Sequence, residues 1–227
     1  KVNYYLSLGY YNQEGIVGGN YGQSNYDRLS IRSNNIYNVL DATKDRNFLN
    51  KLDVTVNVAY TRIKSTGIST NSEYGSVLGS ALYLAPTLAP TVTNSAIAQK
   101  YYDNYTFTTA VGDVSTLHHY DFPADANGNY YTIPGYGGTY QEMNNPLAMM
   151  SLPATQNWSH KFVPKFSFDL QLWDNLKYHF SYSADLSFYG SDGATTSCYY
   201  LSGNNNAKHT SANKSSSKGC VWQVENT

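Results

Sequence analysis

Apolar and polar residues alternate with a period of two along five stretches of the chain, the pattern of strands that hide one face from water. The clearest stretch runs from Phe162 to Leu172. Phe162, Pro164, Phe166, Phe168, Leu170 and Leu172 share one face, and Val163, Lys165, Ser167, Asp169 and Gln171 share the other. The alternation soon resumes. Leu176, Tyr178, Phe180, Tyr182, Ala184, Leu186 and Phe188 face one way, and Lys177, His179, Ser181, Ser183, Asp185 and Ser187 the other. Trp173-Asp174-Asn175 between them reads as a tight hairpin turn. Val2, Tyr4, Leu6, Leu8 and Tyr10 mark a first strand, and Leu52, Val54, Val56, Val58 and Tyr60 a third. The second is the least regular: Leu29, Ile31, Tyr37 and Val39 keep phase across an interruption at Asn34-Asn35.

These strands are about 10–14 residues long, where globular strands run about 5–6 and a tilted membrane-crossing strand needs about 9–11. Their connections alternate in length. Residues 12–25 and 64–160 form long loops and 190–227 a second long loop or tail, whereas 41–51 is shorter and 173–175 is tight. Short turns at one end and long loops at the other are the habit of outer-membrane barrels. Segment 74–92 is uncharged, but Pro86 and Pro90 would break a spanning helix, so a short helix over Ser76 to Leu84 is expected instead. A soluble β-sandwich presents the same alternation with one face buried. Strand length and loop asymmetry favour the barrel: an all-β fold, part of a large antiparallel transmembrane β-barrel with about five strands here and long extracellular loops.

Composition sharpens this. Of 227 residues, 14% are charged, against roughly 25% in an average soluble domain. Aromatics reach 15%, and 23 of them are Tyr. Mean hydropathy is −0.48, so Tyr, Ser, Asn, Thr and Gly replace the missing charge rather than aliphatic residues. A net charge of −1 argues against nucleic-acid binding through bulk electrostatics. Trp173 falls at the short-turn end and Tyr10, Tyr60 and Phe188 at the long-loop end, where aromatic girdles belong. The chain begins directly in a strand-like pattern and reads as an internal piece of a longer protein, or as a mature chain trimmed at both ends.

In a barrel, Lys165, Asp169, Lys177, His179 and Asp185 would line the lumen, against the plainer reading of a solvated, hydrogen-bonded interior. His118 and His119 are adjacent on an extended chain, so they point opposite ways and suit a shared metal poorly. Asp125-Ala126-Asn127-Gly128 reads as a turn, because Tyr136 stands where a calcium loop needs its closing Glu. Cys198 and Cys220 lie in a Ser/Asn-rich stretch where an exterior location would permit a disulfide. The loop aromatics Tyr101, Tyr102, Tyr105, Tyr130, Tyr131, Tyr136 and Tyr140 could stack on sugar rings, or pack within the loop or against a partner. No catalytic constellation, metal site or cofactor motif stands out.

Segment 4–17 (YYLSLGYYNQEGIV) resembles an early barrel strand and loop of the SusC/RagA family of TonB-dependent outer-membrane receptors. Segment 26–34 (YDRLSIRSN) is similar to the returning strand and 52–62 (LDVTVNVAYTR) to the next. Segments 81–90 (ALYLAPTLAP), 125–130 (DANGNY) and 145–148 (NPLA) follow in the order of that family's large extracellular excursion. The resemblance covers most of residues 2–190. It implies TonB-dependent import across the bacterial outer membrane of a large nutrient, an oligosaccharide or a peptide. It implies a SusD-like surface lipoprotein as partner, meeting loop 64–160, and a plug and further barrel strands that this chain lacks. About eight strands is the smallest closed barrel, so the chain alone would be a fragment of such a receptor. Two other functions fit the residues: a soluble secreted β-protein binding glycans through its loop tyrosines, and a passive porin.

Overall fold

The computed structural model describes residues 1–41, 48–68, 72, 75–136, 138–140, 142–197 and 208–227. Six long strands pair side by side, each antiparallel to its neighbour, in the order β1 (Val2–Glu14), β2 (Asn25–Leu40), β3 (Lys51–Thr66), β6 (Gln156–Trp173), β7 (Leu176–Thr195) and β8 (Ser211–Asn226). Between β3 and β6 the chain makes an excursion. It holds α1 (Val77–Tyr83), α2 (Ser95–Asn104), a hairpin of β4 (Thr106–Val111) with β5 (Val114–His119), and α3 (Pro146–Ser151). The sheet is open: β1 and β8 each pair on one side only.

Five of the six strands lie where the alternation puts them, and the Asn34-Asn35 interruption does not break β2. The reading of 190–227 as one long loop is corrected. β7 continues to Thr195, and Ser211–Asn226 returns along it as a sixth long strand. Loop 64–160 is trimmed at both ends, because β3 reaches Thr66 and β6 starts at Gln156. The expected short helix is α1, capped by Ser76, whose side chain accepts the Gly79 N–H at 3.0 Å.

Directly paired residues of antiparallel strands share a face, so the register decides whether the alternation is coherent across the sheet. It is. One row runs Leu8, Ile31, Tyr60, Phe162, Leu186 and Cys220; another runs Tyr4, Asn35, Val56, Phe166, Tyr182 and Val224; a third runs Val2, Tyr37, Val54, Phe168, Phe180 and Asn226. Leu6, Ser33, Val58, Pro164, Ala184 and Trp222 lie between the first two rows. The β6–β7 ladder steps from Phe162↔Leu186 to Lys165↔Ser183, passing over Pro164, which has no N–H to give. None of these four rows carries a charge. At the same depth the opposite face carries Arg32, Asp53, Lys165, Asp169, His179, Asp185 and Glu225.

The buried core is elsewhere. Tyr101, Tyr120, Tyr131, Ile133, Met143, Val77 and Ala148 are buried, and all belong to the excursion. On the sheet, Ser167, Ser181 and Ala184 reach that degree of burial, while Leu6 is 70% and Leu8 73% exposed. Among the described residues no helix packs across either sheet face, and no helix is long and apolar enough to cross a membrane.

Candidate functional site

The charged face of the sheet brings the five lumen candidates to one side, in two groups about 13 Å apart at ~3.3 Å per residue. Toward the short-turn end, Asp53 stands opposite Asp169, and Asp169 opposite His179. His179 Nδ1 lies 2.6 Å from Asp169 Oδ1, Lys51 Nζ 2.6 Å from Asp53 Oδ2, and the Asn38 amide donates to Asp53 at 2.7 Å. Lys177 borders the same recess of about 400 Å³. Farther along, Asp185 pairs with Lys161 at 2.7 Å. Lys165 follows Asn34 and Asn57 in one cross-strand row, where both amide Oδ1 atoms are buried without a hydrogen-bond partner. Lys165 and Lys177 have no carboxylate partner among the described residues.

At the loop end of this face Arg28 lies over the Tyr11 ring on the β1 side, and toward β8 the character changes to uncharged hydroxyls and amides. Ser65, Asn157, Ser159, Tyr189, Ser191 and Ser217 line a recess of about 380 Å³. Ser191 and Ser215 hydroxyls are 2.8 Å apart. The sequence reading missed this recess, since one side of its wall, Ser215 and Ser217, belongs to the unrecognised β8.

The loop tyrosines divide. Tyr101 is 2% exposed and lies against Tyr105, Phe122 and Tyr136, with ring centroids 6.0, 6.1 and 4.9 Å away; its hydroxyl accepts the Ile133 N–H at 3.3 Å. Burial pushes its ionisation above the ordinary tyrosine range. Tyr131 is also buried. These two are core residues rather than surfaces for a sugar. Tyr102 stacks flat on His119, centroids 4.0 Å apart. Tyr130 packs on Phe122 at 5.2 Å. Tyr136 and Tyr140 border a recess of about 490 Å³, walled also by Ile97, Thr132 and Pro134.

The histidine pair behaves as its spacing requires. His118 Nε2 meets Thr109 Oγ1 at 2.8 Å, and His119 Nδ1 donates to the Tyr102 carbonyl at 2.8 Å. Asp125 closes a turn by accepting from the Asn127 and Asn129 N–H groups at 2.8 and 2.9 Å. The Asn129 N–H first, then that residue's side-chain amide, hold its carboxyl below the usual carboxylate range. Asn145 is the centre of the excursion. Its Oδ1 caps α3 by accepting from Leu147 and Ala148, and its Nδ2 donates to the Pro90 and Thr132 carbonyls at 2.8 and 2.9 Å. Cys220 is an exposed, free thiol on β8 opposite Leu186, and Cys198 lies outside the described residues.

The face without charge ends in aromatics at both limits. Phe48 and Trp173 meet edge to face at 5.4 Å by the short turns. At the loop end Tyr60 stacks on His160, and its hydroxyl lies 2.8 Å from His160 Nδ1. Trp158 lies across Gly190, where a Cβ would fall 2.7 Å from the indole. No family model, no curated protein and no solved structure matches this chain.

Proposed function

We propose that this chain is a segment of an outer-membrane β-barrel of the SusC/RagA type, which imports a large nutrient with energy delivered through TonB. The observation that carries the reading is the uncharged, uncovered sheet face. Its rows from Tyr60 to Leu52 extend about 27 Å along the strands, and six strands span about 24 Å. At a tilt of about 40° the band stands about 21 Å high between row centres, near the ~25 Å of an outer-membrane barrel. The area is on the order of 650 Å², larger than the ~300–600 Å² of the largest apolar patch on a typical soluble monomer. With Ser33, Asn35 and Asn226 in its rows, removing it from water is worth at most about 16 kcal/mol at ~25 cal/mol per Å² of apolar surface. A sandwich would meet this demand with a second sheet; here no described element covers the face.

The opposite face suits a wet lumen, with its ion pairs and hydroxyls. The uncharged recess at the loop end favours a neutral polyhydroxylated solute, and so an oligosaccharide over a peptide. Folded around its own core, the excursion is the surface for a SusD-like lipoprotein. Its recess beside Tyr136 and Tyr140 favours a second reading, glycan binding by the excursion itself in a secreted protein. Vesicle flotation separates the two. The barrel reading expects the chain to float with phosphatidylcholine vesicles and to precipitate when detergent is withdrawn without lipid. A stable monomer in detergent-free buffer would overturn it.

A further inference from the structure

An uncharged sheet face has a boundary, and residues just past it meet whatever borders the apolar phase. At the loop end the last uncharged row is that of Tyr60 and Phe162. The next row outward carries Arg62, His160 and Lys218, since Arg62 pairs with His160, His160 with Phe188, and Phe188 with Lys218. The row after it carries Lys64 beside Trp158. We propose that Arg62, Lys64 and Lys218, with His160 between them, bind the phosphate of an anionic lipid headgroup in the leaflet around the loop end. The proposal rests on the membrane reading above.

Geometry supports it in three ways. Arg62 and Lys64 share one face two residues apart, about 7 Å, and Lys218 lies three strands from Arg62, about 14 Å. Long side chains from both sides therefore converge over His160 and Phe188. Their aliphatic stems lie on the apolar rim while their charged ends reach outward. The Tyr60 hydroxyl engages His160 Nδ1 and not Nε2, which donates in the tautomer that carries its proton there.

The charges are only lightly committed as well. None of the three cations forms a salt bridge among the described residues. Asp27 stands directly opposite Lys64 and interacts electrostatically with Lys64 and Arg62, but its carboxylate is held by the Tyr10 hydroxyl at 3.0 Å and by the Asn12 amide. One row farther out, Glu14, Asp192 and Lys214 are acidic on balance, so the basic residues form a stripe and not a generally basic rim. At the short-turn end, Lys51 and Lys177 lie on the charged face, and the uncharged face has no cation among the described residues. The stripe therefore marks one leaflet.

The test compares the wild-type chain with the triple variant Arg62→Gln, Lys64→Gln, Lys218→Gln, and with a control that removes two cations from the other face, Lys165→Gln with Lys177→Gln. Each is floated with phosphatidylcholine vesicles, with and without phosphatidylglycerol, and its retained lipid is read by native mass spectrometry from detergent. Wild type and control are expected to retain phosphatidylglycerol. The triple variant should lose it about a hundredfold, roughly fivefold per charge at low salt. All three should float with phosphatidylcholine. Equal phosphatidylglycerol retention by triple variant and wild type overturns the site while leaving the membrane reading intact. Displacement by inorganic phosphate at concentrations that leave ionic strength unchanged overturns the lipid as ligand. Failure of the wild type to float with any vesicle overturns the membrane reading, and the site with it.

Discussion

Val224 and Gln223 are neighbours on β8, both exposed, and the sheet assigns them to opposite faces. Val224 continues the central row of the uncharged band, beyond Tyr182, Phe166 and Val56. Gln223 continues the row of Lys165 and Ser183. A lysine at each position changes the same charge at nearly the same depth without crowding a packed neighbour. If the band lies in lipid, Val224→Lys puts an ammonium near the midplane, too deep to reach either interface. The cost is about 2–4 kcal/mol, or a factor of about 30–1,000 in the folding equilibrium. Gln223→Lys faces the wet side and should stay within about 0.5 kcal/mol, as exposed substitutions do. The assay is urea titration of each variant refolded into phosphatidylcholine vesicles, read by tryptophan emission. If the two lysines cost the same to within about 0.5 kcal/mol, the uncharged face does not meet lipid and the barrel reading fails.

Asn145→Ala removes the α3 cap and both bonds to the Pro90 and Thr132 carbonyls, and should loosen the excursion by about 2–4 kcal/mol; limited proteolysis within 67–155 measures it. Tyr101→Phe should cost about 1 kcal/mol, for the acceptor lost to Ile133, against about 3–5 for Tyr101→Ala, which empties the cluster; thermal unfolding followed by near-ultraviolet dichroism separates them. Because burial raises the Tyr101 ionisation, its contribution is fully present below the unfolded value near pH 10 and is lost as pH rises toward the folded value, so the same dichroism signal should fade in alkali. Asp125 has the opposite sign: its carboxyl is depressed, so its contribution holds above the unfolded value near pH 4 and is lost as pH falls through the lower folded value. A carbon-13 titration of its carboxyl reads this directly, and a midpoint at or above the free aspartate value would contradict the turn. Cys220 should react with maleimide in unreduced protein.

What the sequence made legible was phase. Phe162 to Leu172 and Leu176 to Phe188 alternate because one face of both strands excludes charge along the whole depth of the band, and the register aligns those faces up to Gln171, with a single shift beside the turn at Trp173. β8 escaped notice for the converse reason. Its first half, Ser211 to Lys218, lies past the band, where both faces are polar and no alternation survives; Cys220, Trp222 and Val224 alone carry the period. The helix at Ser76 and the Asp125 turn were readable because a cap and a turn are local. The excursion core was not, because Tyr101 meets Phe122, Ile133 and Tyr136 through non-periodic, long-range packing. The basic stripe depends on register more than on any segment: Arg62 and Lys218 share a face through two intervening strands, one of them reached from an unpredicted partner.

The two parts of the molecule place opposite demands on their surroundings. The excursion buries its aromatics and satisfies its turns with its own side chains, so water suits it. The sheet buries almost nothing, and its edges add a further constraint. β1 and β8 are 13 and 16 residues long, and an edge strand points about half of its N–H and C=O groups away from its one neighbour. In water those groups are hydrated. In lipid each costs several kcal/mol unpaired, so two bare edges would exceed the roughly 16 kcal/mol that is the most the uncharged face gains there. Six strands are too few to close by pairing β1 with β8. A membrane location for this sheet therefore requires a strand paired along each edge, from the rest of a barrel or, in vesicles, from a second copy of this chain, each continuing the same in-and-out phase, with uncharged residues beside Leu6 and Val224 and polar ones beside Ser7 and Gln223.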